Sequence, residues 1–273
     1  MSISGEEMRR RLQTAVLLAV GLSLSLAISS GLGRWASSYP LMPFPMERTP
    51  MEVLLNVLLI SVPSIIFSAF IASAIRYIRL LMLRGLILIG AFVTVLMARG
   101  GLEARGDLPS ALLAWLLMFI VVLSTLSVVI PPPEDALALM YLIYGSALGA
   151  FIGVNSPTSS ILMVLAVFAV YDLFFSRRAK AAVSRGGREE LIATIRLGGV
   201  EVGIGDIIFY SIVASHTMRF FGLSMALQAS ALMMAGGLLT LKLAHRLGSF
   251  PGLPIPLALG ILPILTGQLR VGG

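Results

Sequence analysis

Long apolar runs, broken by short basic segments, leave this chain few ways to fold. A window of about 19 residues finds nine of them, over residues 12–32, 51–75, 80–98, 108–130, 136–153, 159–175, 197–215, 223–244 and 252–268. About 20 helical residues cross a hydrocarbon layer of ~30 Å, and most of these runs approach or exceed that length. The chain is 58% hydrophobic and 12% charged, whereas soluble domains run near 45–50% and about 25%. A water-soluble globule of 273 residues could not hide so much apolar surface. The expected fold class is an all-α membrane protein of nine transmembrane helices, a single polytopic domain over residues 1–273.

The basic residues orient it. With the N-terminus in the cytoplasm, fourteen of the twenty Lys and Arg residues fall inside, among them Arg9–Arg11 and six between Arg177 and Arg196. That bias predicts an N-terminus inside and a C-terminus outside. The apolar run after Arg9–Arg11 exceeds the ~7–15 residues of a signal peptide, so it reads as a retained helix. The polar segment 176–196 is the expected cytoplasmic loop, its charges solvated or against lipid headgroups. The net charge of +7 would suggest nucleic acid in a soluble protein. Here it is accounted for by cytoplasmic loops, and no nucleic-acid partner is expected.

The chain has no cysteine, which excludes disulfides, thiolate metal sites and a cysteine nucleophile. Two histidines, His216 and His245, are too few and too far apart to suggest a metal cluster. Both are expected in loops or at the interface, and no cofactor is expected. Pro254, Pro256 and Pro263 break the ninth run, so its first part is not expected to be regular helix. Gly145, Gly149 and Gly153 recur every four residues on the fifth helix, a small-residue stripe that lets a neighbouring helix come close.

Three acids lie inside apolar runs: Asp172, Glu201 and Asp206. A carboxylate at membrane depth costs ~3 kcal/mol on insertion scales, which marks it as functional or paired. Asp172 ends the sixth run, and Glu201 and Asp206 lie on the seventh. Rises of 1.5 Å per residue from the expected helix ends put Asp172 about 6 Å and Asp206 about 14 Å below the cytoplasmic edge. Gly199 and Gly203 form a GxxxG pair, and Gly205 directly precedes the acid; all three suggest close approach or local bending. Two carboxylates sharing a low-dielectric site cannot both ionise easily, so one serves as base and the other as acid. Proton or ion relay, or pairing with a base such as Lys242, would use the same acids. Spacing alone leaves catalysis, transport and structural pairing open.

Three motifs narrow the choice. Tyr171-Asp172 lies in VYDLFF, Gly203-Ile204-Gly205-Asp206 continues into IIFYS, and FPGLPIPLALG follows in the ninth run. In order and spacing they resemble the YD, GxGD and PAL motifs of the presenilin and signal peptide peptidase family of GxGD intramembrane aspartyl proteases, in particular its archaeal presenilin-like members. Pro251, Gly252 and Leu253 stand at the PAL positions, with glycine where the family has alanine. The resemblance implies a multi-pass aspartic endopeptidase with Asp172 and Asp206 as catalytic dyad. It implies that Tyr171, Gly203 and Gly205 support the active site, and that residues 251–253 bind substrate. It further implies a transmembrane protein or peptide as substrate and no required accessory subunits. The expected home is a prokaryotic plasma membrane. An ion channel or proton-coupled transporter using the same acids is the alternative. A prepilin peptidase-like protease also carries GxGD but fits the other two motifs poorly.

Overall fold

The computed structural model describes residues 49–73, 133–183, 194–197, 200–247 and 250–271, with scattered positions between 16 and 130. In these the chain forms α1 (Pro50–Ser73), α2 (Glu134–Asn155), α3 (Thr158–Val183), an antiparallel hairpin of β1 (Thr194–Leu197) and β2 (Val200–Gly203), α4 (Ile204–Leu247) and α5 (Pro254–Val271). The runs expected over 12–32, 80–98 and 108–130 lie largely outside the described residues, as does part of the expected loop 176–196. The number of spans and the sidedness of the termini therefore rest on the sequence.

Local chemistry sets the helix starts. Thr49 and Glu52 form a reciprocal capping box: the Thr49 N–H donates to Glu52 Oε2 at 2.8 Å, and the Glu52 N–H to Thr49 Oγ1 at 3.3 Å. Pro50 and Pro254 open their helices, where a missing N–H costs nothing. Helix α5 is therefore more regular than its prolines suggest, and the irregular backbone is confined to the residues before Pro254. Helix α3 runs to Val183, beyond the expected end near 175; its last turns, RRAKAAV, are mostly strong helix formers.

Hydropathy predicts helix from residue 197, but Thr194–Leu197 and Val200–Gly203 are paired strands and the helix begins at Ile204. Gly203 ends a strand, so the expected helical GxxxG pair does not exist; Gly199 itself lies outside the described residues. The expected seven-residue connection after 215 is also absent. Helix continues to a kink at Gly222, whose φ of 86° and ψ of 174° suit glycine alone.

Sequence-distant glycines bring the backbones together. A Cβ on Gly149 would lie 2.3 Å from the Ile208 carbonyl oxygen, and one on Gly153 2.4 Å from that of Ile212. The stripe on α2 thus receives α4 in backbone contact. On α5, a Cβ on Gly260 would strike Met233 at 2.4 Å, and Val213 lies 3.4 Å away. Helix α5 therefore packs against α4 on both sides of its kink, in a core with Ile212, Ala229, Leu257 and Ile264.

Large apolar side chains also cover much of the outside. On α1, Leu54, Leu55, Leu58, Leu59, Val62 and Ile66 are exposed, while Asn56 and Ser61 are buried. Asn56 donates to Ser160 Oγ on α3 at 3.1 Å. Apolar outer faces with polar groups turned inward suit a lipid surround. By length and composition, Ala136–Asn155 and Ile204–Ala244 qualify as membrane spans.

His216 contradicts its expected loop position. It is completely buried on α4, where Nδ1 meets the Gly153 carbonyl at 2.9 Å and Nε2 meets Thr158 Oγ1 at 3.1 Å. Arg219, expected in an external loop, donates to the Val154 carbonyl from the same helix. These two side chains satisfy the backbone where α2 turns into α3. The His245 side chain lies outside the described residues.

Gly149→Ala should lower stability by ~1–3 kcal/mol, since the struck atom is backbone and cannot rotate away. Gly145→Ala, whose Cβ would meet Ile207 at 3.4 Å, should be tolerated. Denaturation midpoints of the two variants test the interface, and equal midpoints would refute it.

Candidate active site

Asp172 lies on α3, one turn after Phe168 and on the same face. Asp206 is the third residue of α4, three after Gly203. Its carboxylate turns back toward Gly203. A carboxylate in the first turn also faces the positive end of the helix dipole. The hairpin thus delivers the acid at a helix start, not deep within a span. The depths of about 6 and 14 Å, reckoned from a helix beginning at 197, do not apply.

Both acids converge on the residues before α5. The Leu253 N–H donates to Asp172 Oδ2 at 2.9 Å. On the other side, a Cβ on Gly252 would stand 3.0 Å from Asp206 Oδ2 and 3.3 Å from its Oδ1. The two carboxylates therefore flank one dipeptide, each in the other's electric field. Leu253 buries its side chain in the core, and its carbonyl accepts the Leu257 N–H at 3.0 Å, the first bond of α5. Pro251 and Gly252 stay partly exposed.

An aromatic contact ties the two acid-bearing helices together. Phe168 on α3 and Phe209 on α4 place their ring centroids 4.5 Å apart. Phe168 precedes Asp172 by four residues, and Phe209 follows Asp206 by three. Tyr171 packs edge-on against Phe168, with centroids 6.3 Å apart, within a cluster that includes Val57 and Phe209. Tyr210, one turn after Asp206, is buried and donates to the Gly252 carbonyl at 3.3 Å. Phe168, Phe209 and Tyr210 were not among the expected site residues. Their spacing of three or four from an acid is the signal that points to them.

The glycines divide. Gly203 lies against the Asp206 carboxylate, which would be 3.1 Å from an added Cβ. Gly205 faces open space, with nothing within 4 Å, so among the described residues it admits no neighbour. Glu201, expected on the seventh helix, sits instead on β2 opposite Arg196. Lys242, a candidate counter-charge, is exposed and pairs with neither acid among the described residues. No group of three or more His, Asp or Glu side chains that could hold a metal occurs among them.

No protein-family model and no curated protein matches this chain. Solved structures do. One, a presenilin family intramembrane aspartate protease in a C222 crystal form, superposes with a TM-score of 0.64 at 18% identity, covering 94% of this chain and 99% of that one. A second, in space group P2, gives 0.61 at 17% identity, covering 93% and 96%. The fold is thus presenilin-like over nearly the whole chain, as the three motifs lead one to expect.

Gly205→Ala should leave folding stability unchanged or raise it by up to ~1 kcal/mol, because a methyl fits and alanine favours helix. A clear drop in the unfolding midpoint would show that the space beside Gly205 is filled.

Proposed function

We propose that this chain is an integral-membrane aspartic endopeptidase of the GxGD type, cleaving transmembrane segments with Asp172 and Asp206 as its dyad. The observation that carries this reading is the convergence of the two carboxylates on Gly252–Leu253, within a presenilin-like fold. Two acids so placed share one proton in a low-dielectric site. The ionised member takes a proton from water as the water oxygen bonds to the peptide carbonyl carbon. The protonated member gives its proton to the carbonyl oxygen. When the tetrahedral gem-diol collapses, the C–N bond breaks, the first acid returns its proton to the leaving nitrogen, and one diol hydroxyl gives its proton back to the second carboxylate as the C=O re-forms. The products are a carboxylic acid and an amine, and the dyad is restored.

A transmembrane substrate is helical, with shielded peptide bonds, and has to be extended before water can attack. Two features beside the dyad suit an extended strand: the hairpin of β1 and β2, whose outer edges pair with no other strand among the described residues, and the non-helical backbone of 251–253. In this reading Pro251, Gly252 and Leu253 contact substrate, Tyr171 packs beside the first acid, and Gly203 leaves room for the second. Gly205 keeps open a space for substrate. The enzyme acts as a single chain in a prokaryotic plasma membrane, on a transmembrane protein or peptide, without cofactor or accessory subunit.

Asp172→Asn and Asp206→Asn should each lower cleavage of a single-span substrate at least about a thousandfold while the protein still folds. Mass spectrometry of the products locates the cut. Robust cleavage by either variant, or ion flux across proteoliposomes with no peptide products, would point away from proteolysis. Gly252→Ala, whose methyl would press the Asp206 carboxylate, should slow turnover about two- to tenfold. Steady-state kinetics on the same substrate reads that change.

A further inference from the structure

The Gly252 carbonyl and the Leu253 N–H are opposite ends of one peptide group. Tyr210 donates to its oxygen at 3.3 Å, and its nitrogen donates to Asp172 Oδ2 at 2.9 Å. A continuous chain of hydrogen bonds therefore runs from α4, through a single peptide plane, to the acid on α3. Hydrogen bonds in such a chain polarise one another: a donor on the carbonyl makes the N–H at the other end a better donor. The plane is also mechanically exposed. It lies outside any helix, next to a glycine, and rotation about it would carry the N–H away from Asp172.

We propose that Tyr210 is a positioning residue for the dyad. Its hydroxyl locks the 252–253 peptide in the orientation that aims the Leu253 N–H at Asp172, and so holds that carboxylate beside Asp206. The inference rests on the protease reading for its kinetic consequence, but the lock itself is a structural claim with its own readout. Burial of the Tyr210 ring fits the role, since packing fixes where the hydroxyl points. So does its place one helical turn beyond Asp206, which ties the lock to the element carrying the second acid. Ring packing alone would not require the hydroxyl.

Tyr210→Phe and Tyr210→Leu in the full chain test this. Amide hydrogen exchange should show the Leu253 N–H exchanging about tenfold faster in Tyr210→Phe than in the wild type. With a single-span substrate, kcat should fall about tenfold while KM stays within about twofold, the loss expected for one hydrogen bond that acts on the reacting groups. Tyr210→Leu should have nearly the same kcat as Tyr210→Phe, because the hydroxyl and not the ring is what counts. Unchanged Leu253 exchange, or wild-type kcat in Tyr210→Phe, overturns the proposal and leaves the protease reading standing. Failure of the wild-type chain to cleave any single-span substrate removes the protease reading and the kinetic role together. The exchange experiment still decides whether Tyr210 holds the peptide.

Discussion

The Leu253 N–H and the Gly252 carbonyl, just before α5, have no helical partner, and an apolar surround makes unsatisfied groups expensive. Side chains from two other helices meet that demand: Asp172 accepts the Leu253 N–H, and Tyr210 donates to the Gly252 carbonyl. The same bonds that make the turn tolerable at depth draw α3 and α4 to one place. Stability and site assembly are here one interaction. A chain that satisfied this turn with water alone would have no reason to bring its two acids together.

Helix packing supplies the frame for that contact. Glycines on α2 admit the backbone of α4, and Gly236 and Gly260 on the two sides of the α4–α5 contact bring α5 against α4 beyond its kink. Lipid offers little hydrophobic drive between helices, so close van der Waals contact and buried hydrogen bonds hold them. Arg219 and His216 serve the second purpose at the α2–α3 turn, and Asn56 with Ser160 joins α1 to α3. Near the two acids, Phe168 and Phe209 join α3 to α4 by ring contact.

The hairpin before α4 changes how Asp206 is presented. A helix running from residue 197 would have buried the acid more than two turns in, with every neighbouring backbone donor already used. Starting the helix at Ile204 leaves Asp206 in the first turn, where free N–H groups and the helix dipole meet a carboxylate. Several strand residues are β-branched (Thr194, Ile195, Val200 and Val202), which favours extended backbone. Hydropathy reads the same residues as span because it registers polarity and not backbone shape.

Hydropathy and charge determined the apolar, helical character of this protein, and the order of its motifs singled out Asp172 and Asp206. These are properties of residues and of near neighbours, so they are written along the chain. Tertiary structure alone decided that Asp172 and Leu253, eighty-one residues apart, share a hydrogen bond, that Tyr210 grips the same peptide, and that His216 is buried and bonded. Gly203 and Gly205 look alike in the motif, yet one touches a carboxylate and the other faces open space. The difference arises because a contact depends on where packing sets whole helices, and no local feature of either partner encodes that position.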